Sequence, residues 1–181
     1  MKIGKAKRSF LLFFLCGYAV IAFALTDADL VRNIQKKIAR FPQVASLPVK
    51  VQVQNGVASL AATVDSESQA QLLIAIATSL QGINDVDVTQ LTLANQQPIS
   101  SNTVIIGKII GTYVHDQVFG ADKDIDTLPI SVEISQGRIF LRGVLDTKPQ
   151  LVASIIIARK ISHFMQIISI LSVRAGAVHL P

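Results

Sequence analysis

The chain has 181 residues, 17 Lys and Arg against 12 Asp and Glu, one Cys and no Trp. With 50% hydrophobic residues it has enough apolar side chain to bury, which excludes an intrinsically disordered chain, and its length allows one compact domain or two small ones. The formal net charge of +5 resembles that of a nucleic-acid-binding protein, but the excess positive charge is confined to one end of the chain. Without residues 1–24 the net charge falls to +1, so the excess belongs to the amino-terminal segment.

Residues 1–24 have the layout of a secretory signal peptide. Four cations lie within the first eight residues, and an uncharged apolar run from Phe10 to Leu25 follows them. The run ends in Ala22-Phe23-Ala24, a small-x-small cleavage pattern. As a helix it is shorter than the ~30 Å hydrocarbon core of a bilayer. We therefore expect cleavage after Ala24 and a periplasmic mature protein.

The single cysteine, Cys16, lies inside this segment. Exported lipoproteins are cut just before a Cys that follows a small residue, whereas Leu15 precedes Cys16. Lipid attachment at Cys16 is therefore not expected. The mature chain would hold no cysteine, which excludes disulfides and thiolate chemistry.

The mature region begins with a complete αββαβ pattern. Apolar residues at helical spacing after Thr26 predict a first helix, which Pro42 ends. Alternating residues on both sides of Asn55-Gly56 predict a β-hairpin. A second helix begins with a capping box at Ser66 and ends at Gly82, and a third strand follows.

A second copy of this pattern follows in the same order. A helix from Asn102 to about Phe119 leads through a polar loop to a hairpin with Gln136-Gly137 as its turn. Thr147 begins another capping box, and a long helix runs to about Phe164 before the last strand. Self-similarity of this kind indicates a duplicated unit.

The two-residue turns fix the register of both hairpins. Pairing outward from each turn places every apolar side chain on one face of the hairpin, as a half-buried sheet requires. The pairs predicted in this way are Val53 with Ala58, Val51 with Leu60, Ile134 with Ile139, and Val132 with Leu141.

We therefore predict an α+β protein built from two small αββαβ units, each with two helices packed on one face of a three-stranded mixed sheet. The predicted segments are a signal peptide at 1–24, a first domain at 26–94, a polar linker at 95–101, a second domain at 102–174 and a tail at 175–181.

This order of elements resembles the BON domain. The resemblance rests on a hairpin of the form V-x-V-x-x-G-x-V/I-x-L-x-G-x-V, then an Asp, a helix and G-V-x-x-V. Ala62 departs from the pattern where Gly143 matches it, and the final G-V-x-x-V is replaced near Phe164 and Met165. The matching residues are Val51, Val53, Gly56, Leu60, Asp65, Gly82, Ile83 and Val86 in the first unit, and Val132, Ile134, Gly137, Ile139, Leu141, Gly143 and Asp146 in the second.

The resemblance implies an exported bacterial envelope protein with tandem BON domains. It implies association with the envelope or with phospholipid, without catalysis and without a cofactor. The layout is similar to that of periplasmic tandem-BON proteins linked to envelope integrity and osmotic stress.

The sequence offers no catalytic constellation. An enzyme needs a nucleophile with a base, paired carboxylates or a metal cluster, and the histidines have no ligand spacing between them. A nucleic-acid partner is not expected either, since the KH-type G-x-x-G loop is missing and export removes the target. We expect no catalytic residue and no small-molecule substrate. The three histidines are His115, His163 and His179.

One acidic loop approximates a calcium site. Asp122, Asp124 and Asp126 with Glu133 have the spacing of ligand positions in such a loop. Thr127 stands where Gly is needed, however, and the chain after it reads as a strand that would hold Glu133 away. We expect a solvated acidic connection and no metal.

The first helix of the second unit carries a stripe of small residues. At 100° per residue this stripe lies opposite the side expected to face the sheet, and its Gly-x-x-x-Gly spacing is typical of helix pairing. It could accept a partner helix, the first domain or lipid acyl chains. The stripe consists of Val104, Gly107, Gly111 and Val114.

Two further surfaces of the second unit combine apolar and basic residues. Phe140 lies between Arg138 and Arg142 on the open sheet face, and the last helix carries a similar mixture. That composition suits an anionic membrane surface or another envelope protein. We expect the first partner, and the alternative is an accessory subunit of an envelope or secretion-system assembly. The helix residues are Val152, Ile156, Arg159 and Lys160.

Overall fold

The computed structural model describes residues 25–116, 119, 124–163 and 165–174. It contains two three-stranded sheets, each mixed and each covered by helices on one side, so the predicted α+β class is confirmed. The predicted signal peptide at 1–24, which includes Cys16, and the predicted tail at 175–181 lie outside the described residues.

The first unit has one short helix that was not predicted. Thr26 caps the first helix through a reciprocal bond with Asp29, as the sequence indicated. This helix ends at Ile38, before Pro42 is reached, and Pro42 begins a short helix, because proline is favourable at a helix start. The elements are α1 (Asp27–Ile38), α2 (Pro42–Ala45), β1 (Lys50–Gln54), β2 (Val57–Val64), α3 (Glu67–Thr78) and β3 (Asp85–Leu93).

The second unit repeats this order with different helix ends. Its first helix ends at His115 and not near Phe119, because Asp116 already has an extended conformation. Its last helix ends at Ser162, since His163 has a φ of 53°. The elements are α4 (Ser101–His115), a 3-10 turn (Ile125–Thr127), β4 (Ile130–Ser135), β5 (Arg138–Leu145), α5 (Lys148–Ser162) and β6 (Gln166–Val173).

Both predicted hairpin registers are confirmed. Val53 pairs with Ala58 in the first hairpin and Ile134 with Ile139 in the second, and the third strand of each unit adds in parallel. The turn residues Asn55-Gly56 and Gln136-Gly137 all have positive φ, which is the conformation of a type I′ turn.

Each sheet has its own core beneath the helices. In the second unit the buried Tyr113 ring lies 5.1 Å from the Phe119 ring, and its hydroxyl donates to the Ser154 carbonyl oxygen at 2.9 Å. Burial raises the pKa of the Tyr113 phenol. Ile109 and Tyr113 face this core, as the helical periodicity of α4 predicted.

The two units meet through their helices. Helix α3 of the first unit packs against α4. It contacts the side of α4 that faces away from the second sheet, whereas Ile109 and Tyr113 lie on the side that faces that sheet. The helices therefore form the inner layers of the molecule, and the open face of each sheet points outwards.

Candidate docking surfaces

The glycines of the α4 stripe are the closest contact between the units. A Cβ on Gly107 would lie 2.8 Å from Ile74 Cβ, and one on Gly111 would lie 2.6 Å from the Ala75 carbonyl oxygen. Real Cβ atoms do not approach backbone this closely, so only glycine allows α3 and α4 to cross at this distance.

Ion pairs reinforce this junction. Lys108 Nζ on α4 lies 2.6 Å from Asp85 Oδ1 of β3. Asp124 lies 3.1 Å from Lys37 Nζ of α1 and 3.6 Å from Arg40 Nη2, just after that helix. Burial alone would raise the pKa of Asp124, but the Ile125 N–H and the two cations favour its charged form more strongly. The pKa of Asp124 therefore lies below its usual value.

The small-residue stripe thus meets the first unit, one of the partners that the sequence left open. Gly107 and Gly111 are buried in this contact. Val104 packs against the first core, and Val114 is half-buried. In this arrangement the two glycines are buried against α3 and are not exposed to lipid.

The open face of the second sheet brings Arg138, Phe140 and Arg142 together. The residues alternate along β5, so their side chains share the outward face while Ile139 and Leu141 are fully buried. The Arg142 guanidinium lies 5.5 Å from the centre of the Phe140 ring and makes a cation–π contact.

The two arginines of this face have different surroundings. Arg142 Nη1 also lies 2.9 Å from Glu133 Oε2 on the adjacent strand β4. Arg138 is exposed and makes no ion pair with any residue that the structure describes. The uncompensated charge of the face is therefore concentrated at Arg138, close to the hairpin turn.

Three apolar residues of the same face were not identified from the sequence. Ile168 pairs with Phe140, and Ile170 pairs with Arg142, so both point outwards. Val144 is 49% exposed and Ile170 56% exposed. Alternation along β5 identifies Val144, and alternation along β6 identifies Ile168 and Ile170 once the register of β6 against β5 is known. The second sheet therefore presents a continuous apolar surface with arginines among its apolar side chains.

The equivalent face of the first sheet is more polar and lacks large side chains at these positions. Ser59 occupies the position of Phe140, and Ala61 that of Arg142, counted from the two hairpin turns. Asp87 on β3 pairs with Ser59, where the second unit has Ile168. The two units thus share one fold but differ in the chemistry of their outward faces.

The exposed side of α5 forms a separate surface. Val152 and Ile156 are exposed, and Arg159 and Lys160 lie on the same side of the helix, which contains no acidic residue. This side lies away from the open sheet face, because α5 itself covers the other face of the sheet. Ile156 and Lys160 line a cleft of about 480 Å³ whose opposite wall includes Asn84 of the first unit.

The acidic side chains of the predicted calcium-like loop contact other protein groups and are not arranged around a cation. Asp124 caps the 3-10 turn and pairs with α1, while Glu133 lies on the open face of β4 and pairs with Arg142. Asp122 lies outside the described residues. Within the part of the chain that the structure describes, no three acidic, histidine or cysteine side chains are grouped as metal ligands.

No described helix has both the length and the apolar character needed to cross a bilayer.

The family match falls on the first unit. The BON domain model matches residues 26–95, the span that contains α1 to β3. The first unit therefore matches the BON family over its whole length. The second unit has the same sheet topology as the first but lies outside the matched residues. No curated protein matches the chain.

Among solved structures, the chain is similar to CdsD, a structural protein of the type III secretion system of Chlamydia trachomatis. One structure, of the C-terminal domain, has 16% identity and a TM-score of 0.30, with 81% of this chain and 66% of that chain covered. A second CdsD structure has 12% identity and a TM-score of 0.33, with 86% and 70% covered. This chain thus spans about two thirds of each structure. Similarity at this level carries no functional argument.

Proposed function

We propose that the chain is a non-enzymatic protein of the bacterial envelope, exported to the periplasm, whose second unit docks on anionic phospholipid. The observation that supports this function is the outward face of the second sheet, where Phe140, Val144 and Ile170 lie beside Arg138 and Arg142. An exposed apolar surface of this kind, bearing cations, is typical of a membrane-binding surface.

The chemistry of the face suits the interfacial region of a bilayer. Aromatic and aliphatic side chains enter the boundary between headgroups and acyl chains, while arginines reach the phosphates along their aliphatic stems. A basic residue near an anionic surface contributes about 1 kcal/mol. Since Arg142 is paired with Glu133, the electrostatic contribution is small, and binding should be reversible and salt-sensitive.

The position of this sheet face also makes it a better membrane-binding surface than the exposed side of α5. The second sheet is an outer layer of the molecule, so nothing in the first unit stands between its open face and a flat membrane. The exposed side of α5 borders a cleft against the first unit, which a flat bilayer cannot enter. Ile156 and Lys160 in this cleft, with Val152 and Arg159 on the same side of α5, therefore remain proposed contacts for a narrower partner.

Vesicle co-sedimentation tests this proposal. The expected mature chain, residues 25–181, is mixed with phosphatidylcholine vesicles that contain increasing fractions of phosphatidylglycerol, at low and at high salt, because the four cations and the apolar run of residues 1–24 would themselves bind such vesicles. Binding should rise with the anionic fraction and fall with salt. Phe140→Ala and Arg138→Gln should each weaken it, whereas Lys50→Gln on the open face of the first sheet should not. Absence of binding at every lipid charge would overturn the proposal.

A second candidate function is that of an accessory subunit in an envelope or secretion-system assembly. The observation that favours it is the cleft beside α5, where Ile156 and Lys160 offer apolar and cationic contacts to a protein segment. Crosslinking in intact cells followed by mass spectrometry distinguishes the two functions. Recovery of one protein in stoichiometric amount would favour the assembly, and recovery of none would exclude it.

A further inference from the structure

Strand β6 is a sheet edge that no described strand covers. It is the outermost strand in the order β4-β5-β6, so one side of its backbone has no neighbouring strand among the described elements. Its sequence, from Gln166 to Val173, contains no charged residue, no Pro and no Gly. Edge strands of soluble proteins usually carry such residues, because an exposed backbone edge pairs readily with another chain.

The corresponding edge of the first unit is protected in three ways. β3 carries Asp85 and Asp87, and its register against β2 shifts between Ser59 and Ala61. Thr92 near its end also forms a bridge to Pro98. Charges, irregular register and a covering segment are the known means of blocking edge pairing.

The remaining two edges are shorter and charged. β1 has five residues and contains Lys50, while β4 has six residues and contains Glu133. β6 has eight residues and no such feature. The second unit thus has one edge that is open to pairing, and it is the edge beside the apolar outward face.

We propose that β6 pairs with β6 of a second copy of this chain, antiparallel and about a twofold axis perpendicular to the sheet. A second copy fits because an uncharged strand meets its own copy without placing like charges opposite each other. The pairing joins the two sheets into one sheet of six strands. It also places Ile168 and Ile170 of the two copies side by side on the outward face.

The alternation of side chains limits the register. Residues directly opposite each other in a sheet point to the same face, so each outward residue of β6 must oppose an outward residue of the partner. Near the middle of the strand this leaves two registers. In one, Ser169 lies opposite Ser169 of the second copy, and in the other, Ile170 lies opposite Ile170.

The geometry has a consequence for membrane docking. A twofold axis perpendicular to the sheet keeps both outward faces on the same side, so the dimer presents twice the apolar and basic surface to one plane. A contact between two edge strands is at the small end of specific interfaces, below about 1,200 Å². The dimer should therefore be weak in solution and depend on protein concentration.

Sedimentation equilibrium without lipid tests the dimer independently of membrane binding. The full chain should show a monomer–dimer equilibrium, and Ile170→Lys should raise its dissociation constant about tenfold by placing ammonium groups near each other across the axis. Val144→Lys is the matched control, because Val144 is similarly exposed on the same face but lies on the inner strand β5. It should leave the dissociation constant unchanged. Circular dichroism checks that both variants fold.

Disulfide crosslinking tests the register. In the full chain with Cys16→Ser, either Ser169→Cys or Ile170→Cys should give a covalent dimer on mild oxidation, because directly opposed Cα atoms about 4.5–5.5 Å apart are within disulfide reach. Val144→Cys should not. A monomer at all concentrations, or crosslinking of Val144→Cys as efficient as that of the β6 variants, would overturn the proposal.

Discussion

The Ala75 carbonyl oxygen of α3 lies 2.6 Å from the place where a Cβ on Gly111 of α4 would be. Thr78 Cβ lies 2.5 Å from the same place. The two units are therefore held together by a crossing of helices whose separation is set by the absence of a side chain. Neither the backbone oxygen nor the branched Thr78 can move aside without shifting α3.

Gly111→Ala should therefore destabilise the protein. Alanine favours the helix over glycine by about 1 kcal/mol, but overpacking at a rigid contact costs more. We expect a net loss of about 1–2 kcal/mol in the free energy of unfolding, measured by urea denaturation. Ile156→Ala on the exposed side of α5 is the control and should change it by less than about 0.5 kcal/mol. An unchanged Gly111→Ala would mean that the helices do not cross this closely.

The outcome for α4 shows what sequence periodicity can and cannot give. Ile109 and Tyr113 could be assigned to the core because their spacing repeats with the helix. The partner of Gly107 and Gly111 could not be chosen, since small residues suit a helix, a domain or lipid equally well. The choice depends on α3, whose position relative to α4 no local pattern encodes. The helix end at His115 was also missed, because apolar residues continue at helical spacing beyond it.

The sheets show the same division between local and distant information. The hairpin pairs were predictable because the two-residue turns Asn55-Gly56 and Gln136-Gly137 fix how the strands on either side of them pair. The pairing of Phe140 with Ile168 was not predictable. Helix α5 connects the two strands, and a long connection of this kind does not determine their register. Phe140 and Arg142 could therefore be identified as outward residues from the sequence, but the apolar surface completed by Ile168 and Ile170 could not.

Asp124→Asn should weaken the junction between the units in a pH-dependent way. Asparagine can still cap the 3-10 turn but loses the attraction to Lys37 and Arg40. Because the pKa of Asp124 is lowered in the folded protein, its contribution is present above the unfolded pKa of about 3.9 and is lost as the pH falls through the folded value.

The measurement is the unfolding free energy of the wild type and of Asp124→Asn between pH 7 and pH 2. The wild type should be more stable at pH 7 by up to about 1 kcal/mol, and the difference should begin to fall near pH ~4 and disappear once the pH is below the folded pKa of Asp124. Asp126→Asn, at an exposed position without an ion pair to any described residue, should show no difference. A difference for Asp124→Asn that persists at pH 2 would contradict the role of the ion pairs.

Gly143 should tolerate no side chain. It lies opposite Ile130 in the second hairpin, and a Cβ there would come within 2.1 Å of the Pro129 carbonyl oxygen. Gly143→Ala should cost about 3 kcal/mol in thermal or urea unfolding, because backbone must move to admit the methyl group. Ala62 holds the equivalent position in the first unit, and Ala62→Gly should cost no more than about 1 kcal/mol. Equal costs for the two variants would show that the approach of Pro129 is not tight.

The absence of tryptophan makes the membrane face directly measurable. Phe140→Trp places a single indole on the outward face of the second sheet, and Ser59→Trp places one at the equivalent position of the first. An indole that enters the headgroup region shifts its emission to shorter wavelength and is quenched by brominated acyl chains.

Trp fluorescence of these two variants on anionic vesicles is the most direct test of the docking claim. The Phe140→Trp indole should shift to the blue and be quenched by brominated lipid, and the effect should decline with salt, while the Ser59→Trp indole should stay as it is in buffer. Equal responses at both positions, or no response at position 140 on vesicles that the protein binds, would contradict docking through the second sheet.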